Sequence, residues 1–141
     1  MEQKINQIFK DMGFVINQIR FLSPKEAYQV LISGVTLIDM RKEYETNYRI
    51  FDVPGVIYIS KEEILNQVDS LNQYTPLILA DNVGLNTKTI AQKLMTEGVS
   101  NFACLIGGMV EWMNDKLPVK KDPNYALTGQ CSCQLKLRKK R

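Results

Sequence analysis

Histidine is absent from all 141 residues. That excludes imidazole acid–base chemistry, Ser–His and Cys–His nucleophile pairs, and histidine metal ligands. Cysteine is scarce, at three residues, which is too few for a disulfide scaffold. The start, Met1-Glu2-Gln3-Lys4, lacks the apolar stretch of a secretory leader. A reducing compartment and cytoplasmic location are therefore expected. No uninterrupted apolar run is long enough to span a bilayer, so no membrane partner is expected. What is present is ordinary for a globular chain: 45% hydrophobic and 23% charged residues, and a length that suits a single domain.

The formal charge of +3 is unevenly spread. Lys136, Arg138, Lys139, Lys140 and Arg141 crowd the end of the chain, with no acid between residues 134 and 141. The rest of the chain is net acidic. Such a run reads first as a solvated end. Nucleic-acid binding is not expected, because no aromatic residues interleave with these charges to stack on bases.

Hydrophobic patterning predicts alternating strands and helices. Ile5, Ile8, Phe9 and Met12 are spaced for a short amphipathic helix ending near Gly13. Ile19 to Leu22 reads as a short strand. Ser23-Pro24-Lys25-Glu26 is a helix start, with Ser as cap, Pro at the first turn and Glu three residues on. That helix ends before Gly34. Val35–Met40 and Val56–Ile59 read as strands, and Ser60 as the cap of a helix running to about Leu71. Leu77–Ala80 is the expected central strand, followed by a helix from Asn86 to Glu97. Asn101–Ile106 is the last strand, and Gly107-Gly108 turns it into a helix from Met109 to Asn114. Residues 41–52 read as a loop or short helix, and residues 119–141 as charged and irregular. Alternation of this kind argues for an α/β fold with a parallel sheet.

Between strand Leu77–Ala80 and its helix lies Asp81-Asn82-Val83-Gly84-Leu85-Asn86. A strand, a short Gly-containing loop and a helix start converge backbone N–H groups on one spot, suited to an anion. In such sheets ligands bind beyond the carboxyl ends of the strands, where this loop lies.

The order and spacing of Leu37-Ile38-Asp39-Met40-Arg41, Glu43-Tyr44, Val53-Pro54-Gly55-Val56, this loop, Ile106-Gly107-Gly108-Met109-Val110-Glu111-Trp112 and Leu117-Pro118-Val119 resemble the rhodanese-like sulfurtransferase family over roughly Leu22–Val119. The resemblance implies a rhodanese-like α/β fold, with a central parallel sheet flanked by helices on both sides. It implies three segments: an N-terminal helix extension (1–18), a rhodanese-like domain (19–119) and a basic, Cys-containing tail (120–141). Active members carry a cysteine at the first loop position, where this chain has Asp81, and often a basic side chain where it has Asn86 and Thr87. The family's usual persulfide could not form at Asp81. The resemblance also implies that Arg41 pairs with a nearby acid (Asp39, Glu43 or Glu45) to brace the loop, and that Asp52-Val53 stand where the family has a histidine. Trp112 and Met109 are expected in the core behind the Gly107-Gly108 turn.

The remaining thiols are Cys104, expected in the core, and the pair Cys131-Ser132-Cys133. Nearby cations would lower the thiol pKa values of the pair. Three chemistries are open to it: carrying a persulfide, cycling between dithiol and disulfide, or binding a soft metal through four thiolates of a dimer. The stretch from Pro118 to Cys131 extends up to roughly 43 Å, against a radius of gyration of roughly 14 Å for a domain of this size. The tail can therefore reach the Asp81 loop, or be a solvated end with no role.

The leading expectation is a non-catalytic binding or regulatory module whose recognition surface is Asp81, Asn82, Val83, Gly84, Leu85 and Asn86. The alternatives are sulfur transfer or thiol redox by Cys131 and Cys133, and metal binding by the same pair. No cofactor is expected, and the partner would be a protein or a sulfur carrier.

Overall fold

The computed structural model describes residues 8–42 and 49–121. Its elements are β1 (Phe14–Ile16), β2 (Ile19–Leu22), α1 (Pro24–Leu31), β3 (Thr36–Asp39), β4 (Arg49–Phe51), β5 (Val56–Tyr58), α2 (Val68–Tyr74), β6 (Leu77–Ala80), α3 (Thr87–Thr96), β7 (Phe102–Leu105), α4 (Gly108–Asn114) and β8 (Val119–Lys121). A six-stranded sheet has the order β1-β2-β7-β6-β3-β5. Strand β1 runs antiparallel to β2, and the other neighbours are parallel. Strands β4 and β8 form a separate antiparallel pair, with Arg49 opposite Lys121 and Phe51 opposite Val119.

The sheet is buried on both faces because successive side chains of a strand point opposite ways. In β6, Ile78 and Ala80 face a core completed by Ala27 and Leu31 of α1 and Met109 and Trp112 of α4. Leu77 and Leu79 face the other side, against Leu71 of α2 and Ile90, Ala91 and Leu94 of α3. All four β6 residues are fully buried, and each Leu or Ile contributes about 1.5–3 kcal/mol. The fold is thus α/β, with helices on both faces of a mostly parallel sheet, as the resemblance to the rhodanese-like family implies. Among the described residues no helix is long and apolar enough to cross a membrane.

Trp112 joins the two sheets. Its ring is fully buried and stands edge-on to Phe51 at 5.0 Å and to Tyr28 at 5.9 Å. Its indole Nε1–H donates to the Pro118 carbonyl at 2.8 Å. The carbonyl of Pro118 also accepts the Asp52 N–H.

Five segments differ from the patterning, among them Arg49–Phe51, which form strand β4 in a stretch expected as a loop or short helix because Val119–Lys121 pair with it. Residues 1–7 of the expected N-terminal helix lie outside the described residues, and Ile8–Met12 run as turns. Phe9 is nevertheless buried, so the stripe serves a core contact without a helix. Strand β1 extends the sheet to before residue 19. The expected helix from Ser60 to Leu71 is broken into turns, a 3₁₀ segment at Ile64–Gln67, and α2. Its anchors Ile64 and Leu71 are both fully buried, and burial decides the path over helical continuity. Val119–Lys121 pair as a strand because Arg49–Phe51 offer them an edge. The Thr87–Thr96 helix follows its patterning closely.

The Ser23 start is a complete capping box. Ser23 Oγ accepts the Glu26 N–H at 3.2 Å, and Glu26 Oε1 accepts the Ser23 N–H at 3.0 Å. The second Glu26 oxygen accepts the Gly13 N–H at 2.7 Å, which ties the approach to β1 onto α1. The N–H groups of Gly13 and then Ser23 hold the Glu26 carboxyl below the usual carboxylate range. Such a group stabilises the fold above its unfolded pKa and loses that contribution as pH falls through the folded value. Glu26→Ala should therefore lower stability by about 1 kcal/mol at neutral pH. The deficit should shrink as the pH falls below the ordinary glutamate range, in urea unfolding followed by circular dichroism.

Candidate functional site

The chain leaves β6 at Ala80 and enters the loop Asp81–Asn86 at the carboxyl end of the sheet. Asp81 is 2% exposed. Its carboxylate is turned back into its own loop. Oδ1 accepts the Gly84 N–H at 2.5 Å and Oδ2 accepts the Asn86 N–H at 2.8 Å. Two of the N–H groups of this loop are thus answered by a side chain of the same loop, much as in an N-cap.

The loop is fixed from behind by the turn into α4. The Asp81 and Asn82 carbonyls accept the Met109 and Val110 N–H groups, each at 3.0 Å. Gly108 has φ +57°, and a Cβ there would lie 2.3 Å from the Asp81 carbonyl oxygen. A Cβ on Gly84, with φ +88°, would lie 2.9 Å from the Gly107 N. Both positions need glycine, for backbone angle and for contact distance. Thr87 is buried and its hydroxyl donates to the Gly84 carbonyl at 3.3 Å.

A buried ion pair stands beside the loop. Arg41 forks onto Asp39, with Nε to Oδ1 at 3.0 Å and Nη2 to Oδ2 at 2.7 Å. Nη2 also donates to the Arg49 carbonyl at 3.1 Å, and the guanidinium lies 5.2 Å from the centre of the Phe51 ring. Of the acids considered for Arg41, Asp39 is bonded to it, while Glu43 and Glu45 lie outside the described residues. Burial pushes the Asp81 carboxyl above its ordinary range. The Asn86 and Gly84 N–H groups act in the opposite direction, and the Asp39 carboxylate adds to the rise.

The loop exposes two apolar side chains beside the polar Asn82. Leu85 is 77% exposed and Val83 is also exposed, as are Val110 and Met113 on α4. Val110 and Met113 are three residues apart on one helix, hence on one face. The Val110 N–H is bonded to Asn82, so this face adjoins the loop. The structure also brings Lys61 to the rim, with Nζ 3.5 Å from Asn86 Oδ1. Sequence patterning missed Lys61. It lies 25 residues away in the chain, and only the placement of the segment after β5 in this sheet order could have revealed it.

Cys104 is fully buried, and its thiol donates to the Thr87 carbonyl at 3.7 Å. Burial pushes its pKa up to about 12, so it is no nucleophile at neutral pH. Cys131 and Cys133 lie outside the described residues. Among the described residues no cluster of three or more His, Cys, Asp or Glu side chains is placed to hold a metal ion. A separate cleft of about 300 Å³, lined by Ile19, Met95, Ser100, Asn101 and Phe102 among others, lies at the opposite end of the strands and has no charged lining residue.

A braced loop at the end of β6, backed by a Gly-Gly turn and an Asp–Arg pair, defines the class. The chain belongs to the rhodanese-like domain family, whose profile matches residues 23–115. Thiosulfate sulfurtransferase GlpE of Haemophilus influenzae is 22% identical over 98 residues, 70% of this chain and 91% of that protein. Rhodanese-like domain-containing protein 17 of Arabidopsis thaliana is 29% identical over 107 residues, 67% of this chain and 69% of that protein. A solved rhodanese-related protein from Thermoplasma volcanium shares the fold, with a TM-score of 0.63 at 20% identity, covering 72% of this chain and 97% of that one.

The raised Asp81 pKa has a signed consequence. Its favourable contribution is complete below the unfolded pKa and is lost as pH rises through the folded one. The stability of the wild type relative to Asp81→Asn should therefore fall as pH rises from the ordinary aspartate range toward neutrality. Denaturant titrations of both proteins across that range test it, and a gap that is constant or widens with pH contradicts the assignment.

Proposed function

We propose that Asp81 occupies the position of the family's nucleophilic cysteine and that the chain is a non-catalytic binding or regulatory module of the rhodanese-like family. The observation that carries this reading is the inward-turned Asp81 carboxylate, closed on the Gly84 and Asn86 N–H groups. A carboxylate is a poor nucleophile for sulfur, and here it fills the cradle that an anionic sulfur species would need. Cys104 does not replace it, being buried and protonated. The loop from Asp81 to Asn86 is then a recognition surface, and its exposed Val83 and Leu85 suit contact with a protein partner.

A second reading is favoured by the course of the chain. Strand β8 ends at Lys121, opposite Arg49, whose carbonyl is bonded to Arg41. The tail thus leaves next to the brace of the loop, and the ten or so residues to Cys131 span up to about 35 Å. In this reading a thiolate of Cys131 or Cys133 takes the outer sulfur of thiosulfate, forming a persulfide and releasing sulfite. The sulfurtransferase named among the relatives makes thiosulfate the donor to try first.

Intact-mass and peptide mass spectrometry separates the two. Reduced protein is incubated with thiosulfate, then with a cysteine desulfurase and its substrate. The module reading expects no added sulfur with the thiols confirmed free, and sulfur mapped to Cys131 or Cys133 establishes the second reading instead. Asp81→Cys should gain measurable persulfide at residue 81, but turn over thiosulfate about 10²-fold more slowly than an enzyme with a complete anion site. The reason is that neutral Asn86 stands at the loop's far end, with the Lys61 ammonium held only at the rim by the Asn86 side chain. Full activity in that variant would show that the nucleophile alone is missing.

A further inference from the structure

We propose that β1 is a self-pairing edge, through which two copies of this chain join antiparallel about a two-fold axis at Val15. Among the described residues the strand is the end of the main sheet, bonded on one side to β2. Its residues Phe14, Val15 and Ile16 are 47%, 51% and 47% exposed. The run Gly13-Phe14-Val15-Ile16-Asn17-Gln18 contains no charge and no proline, the usual devices that keep an edge single.

The hairpin geometry selects one register. Asn17 and Gln18 have φ +53° and +70°, the signature of a two-residue type I′ turn. Such a turn closes on a hydrogen-bonded pair, here Ile16 and Ile19. By alternation, Phe14 and Phe21 are the next bonded pair, and Val15 faces Arg20 without bonds. The Val15 N–H and C=O therefore point away from β2, toward the open edge. Two copies centred on Val15 exchange both of these bonds with the partner's Val15. The same register sets Phe14 opposite the partner's Ile16, an aromatic and β-branched pair. An axis at Phe14 would instead call on the Gly13 N–H, which Glu26 already holds, so Val15 is the centre at which both outward bonds form in symmetry.

The faces agree as well. Phe14 stacks on Phe21 at 5.6 Å, and Phe21 packs against the core on the α3 side. A two-fold axis normal to the sheet keeps both copies' Phe14 and Ile16 on that side, as one four-residue cluster. Arg20 faces the other way, with its Nη1 held by the Met12 carbonyl at 2.5 Å. The two Arg20 residues would stand three strand spacings apart, about 14 Å, beyond the Debye length of about 8 Å at physiological salt. Three side chains cover only part of the roughly 800 Å² per partner of a standard interface, so the dimer is weak and reversible. Because the strands of one copy run opposite to those of the other, the two Asp81 loops lie at opposite ends and remain open.

Sedimentation equilibrium of the full, reduced chain from about 5 µM to about 500 µM tests the proposal. The weight-average mass should rise from the monomer toward twice that value. Val15→Pro removes the outward N–H without touching the β1–β2 ladder, and Val15→Lys places two like charges at the axis. Each should weaken association at least about tenfold with an unchanged far-ultraviolet spectrum. If Val15→Pro fails to fold, Val15→Lys decides, since it keeps every backbone group. A monomer throughout the range overturns the proposal, as does association that persists in a folded variant.

Discussion

The junction between the carbonyls of Asp81 and Asn82 and the N–H groups of Met109 and Val110 is the constraint on which the carboxyl end of the sheet depends. A helix start has free N–H donors, and a loop leaving a central strand has free carbonyl acceptors. Here each satisfies the other. The close approach this requires leaves no room for a Cβ at Gly108 or Gly84. It also fixes the first residues of the loop, so the Asp81 side chain has a defined position from which to close on Gly84 and Asn86. Were the two helix donors free, they would be available to a ligand. With the loop docked on them, these two donors are engaged within the protein.

A second layer of support is electrostatic. Asp39 and Asp81 end neighbouring strands, β3 and β6, and two carboxylates there oppose one another. Arg41 answers Asp39 with two bonds and spends a further donor on the Arg49 carbonyl, which carries the β4–β8 pair into the same assembly. The Trp112 indole binds that pair again at Pro118. The loop, α4 and the small sheet are thereby one mechanical unit, and the charge of Asp81 is balanced mainly by backbone donors. Breaking such a buried pair on one side strands the other charge, which is why each partner is worth more than their net attraction.

Much of this was legible in the sequence, where local chemistry decides. The capping box at Ser23 and Glu26, the buried run Leu77–Ala80 and the glycine pair at 107–108 carry their structures in a few adjacent residues. The loop and the Asp39–Arg41 region could be located because their spacing resembles a known family, though that Arg41 closes on Asp39 is a matter of three-dimensional reach. What was hidden depends on distant partners. Val119–Lys121 have no strand signal of their own and pair only because Arg49–Phe51 lie alongside. Lys61 reaches Asn86 only through the order of strands in the sheet. The helix read from Ser60 to Leu71 has sound periodicity, yet two buried anchors impose a broken path. Phe9 belongs to an apolar stripe that reads as a helix, yet it is buried from a turn.

Cys104 gives the molecule a built-in gauge of its own integrity. Its sulfur lies under the first turn of α3 and beneath the loop, fully shielded and bonded to the Thr87 carbonyl, with a pKa of about 12. A thiol so placed meets an alkylating reagent only when β7 and α3 part. The rate at which Cys104 is labelled in the native protein therefore reads out the opening of the layer that carries the loop. It does so at a single atom and with no substitution in the chain.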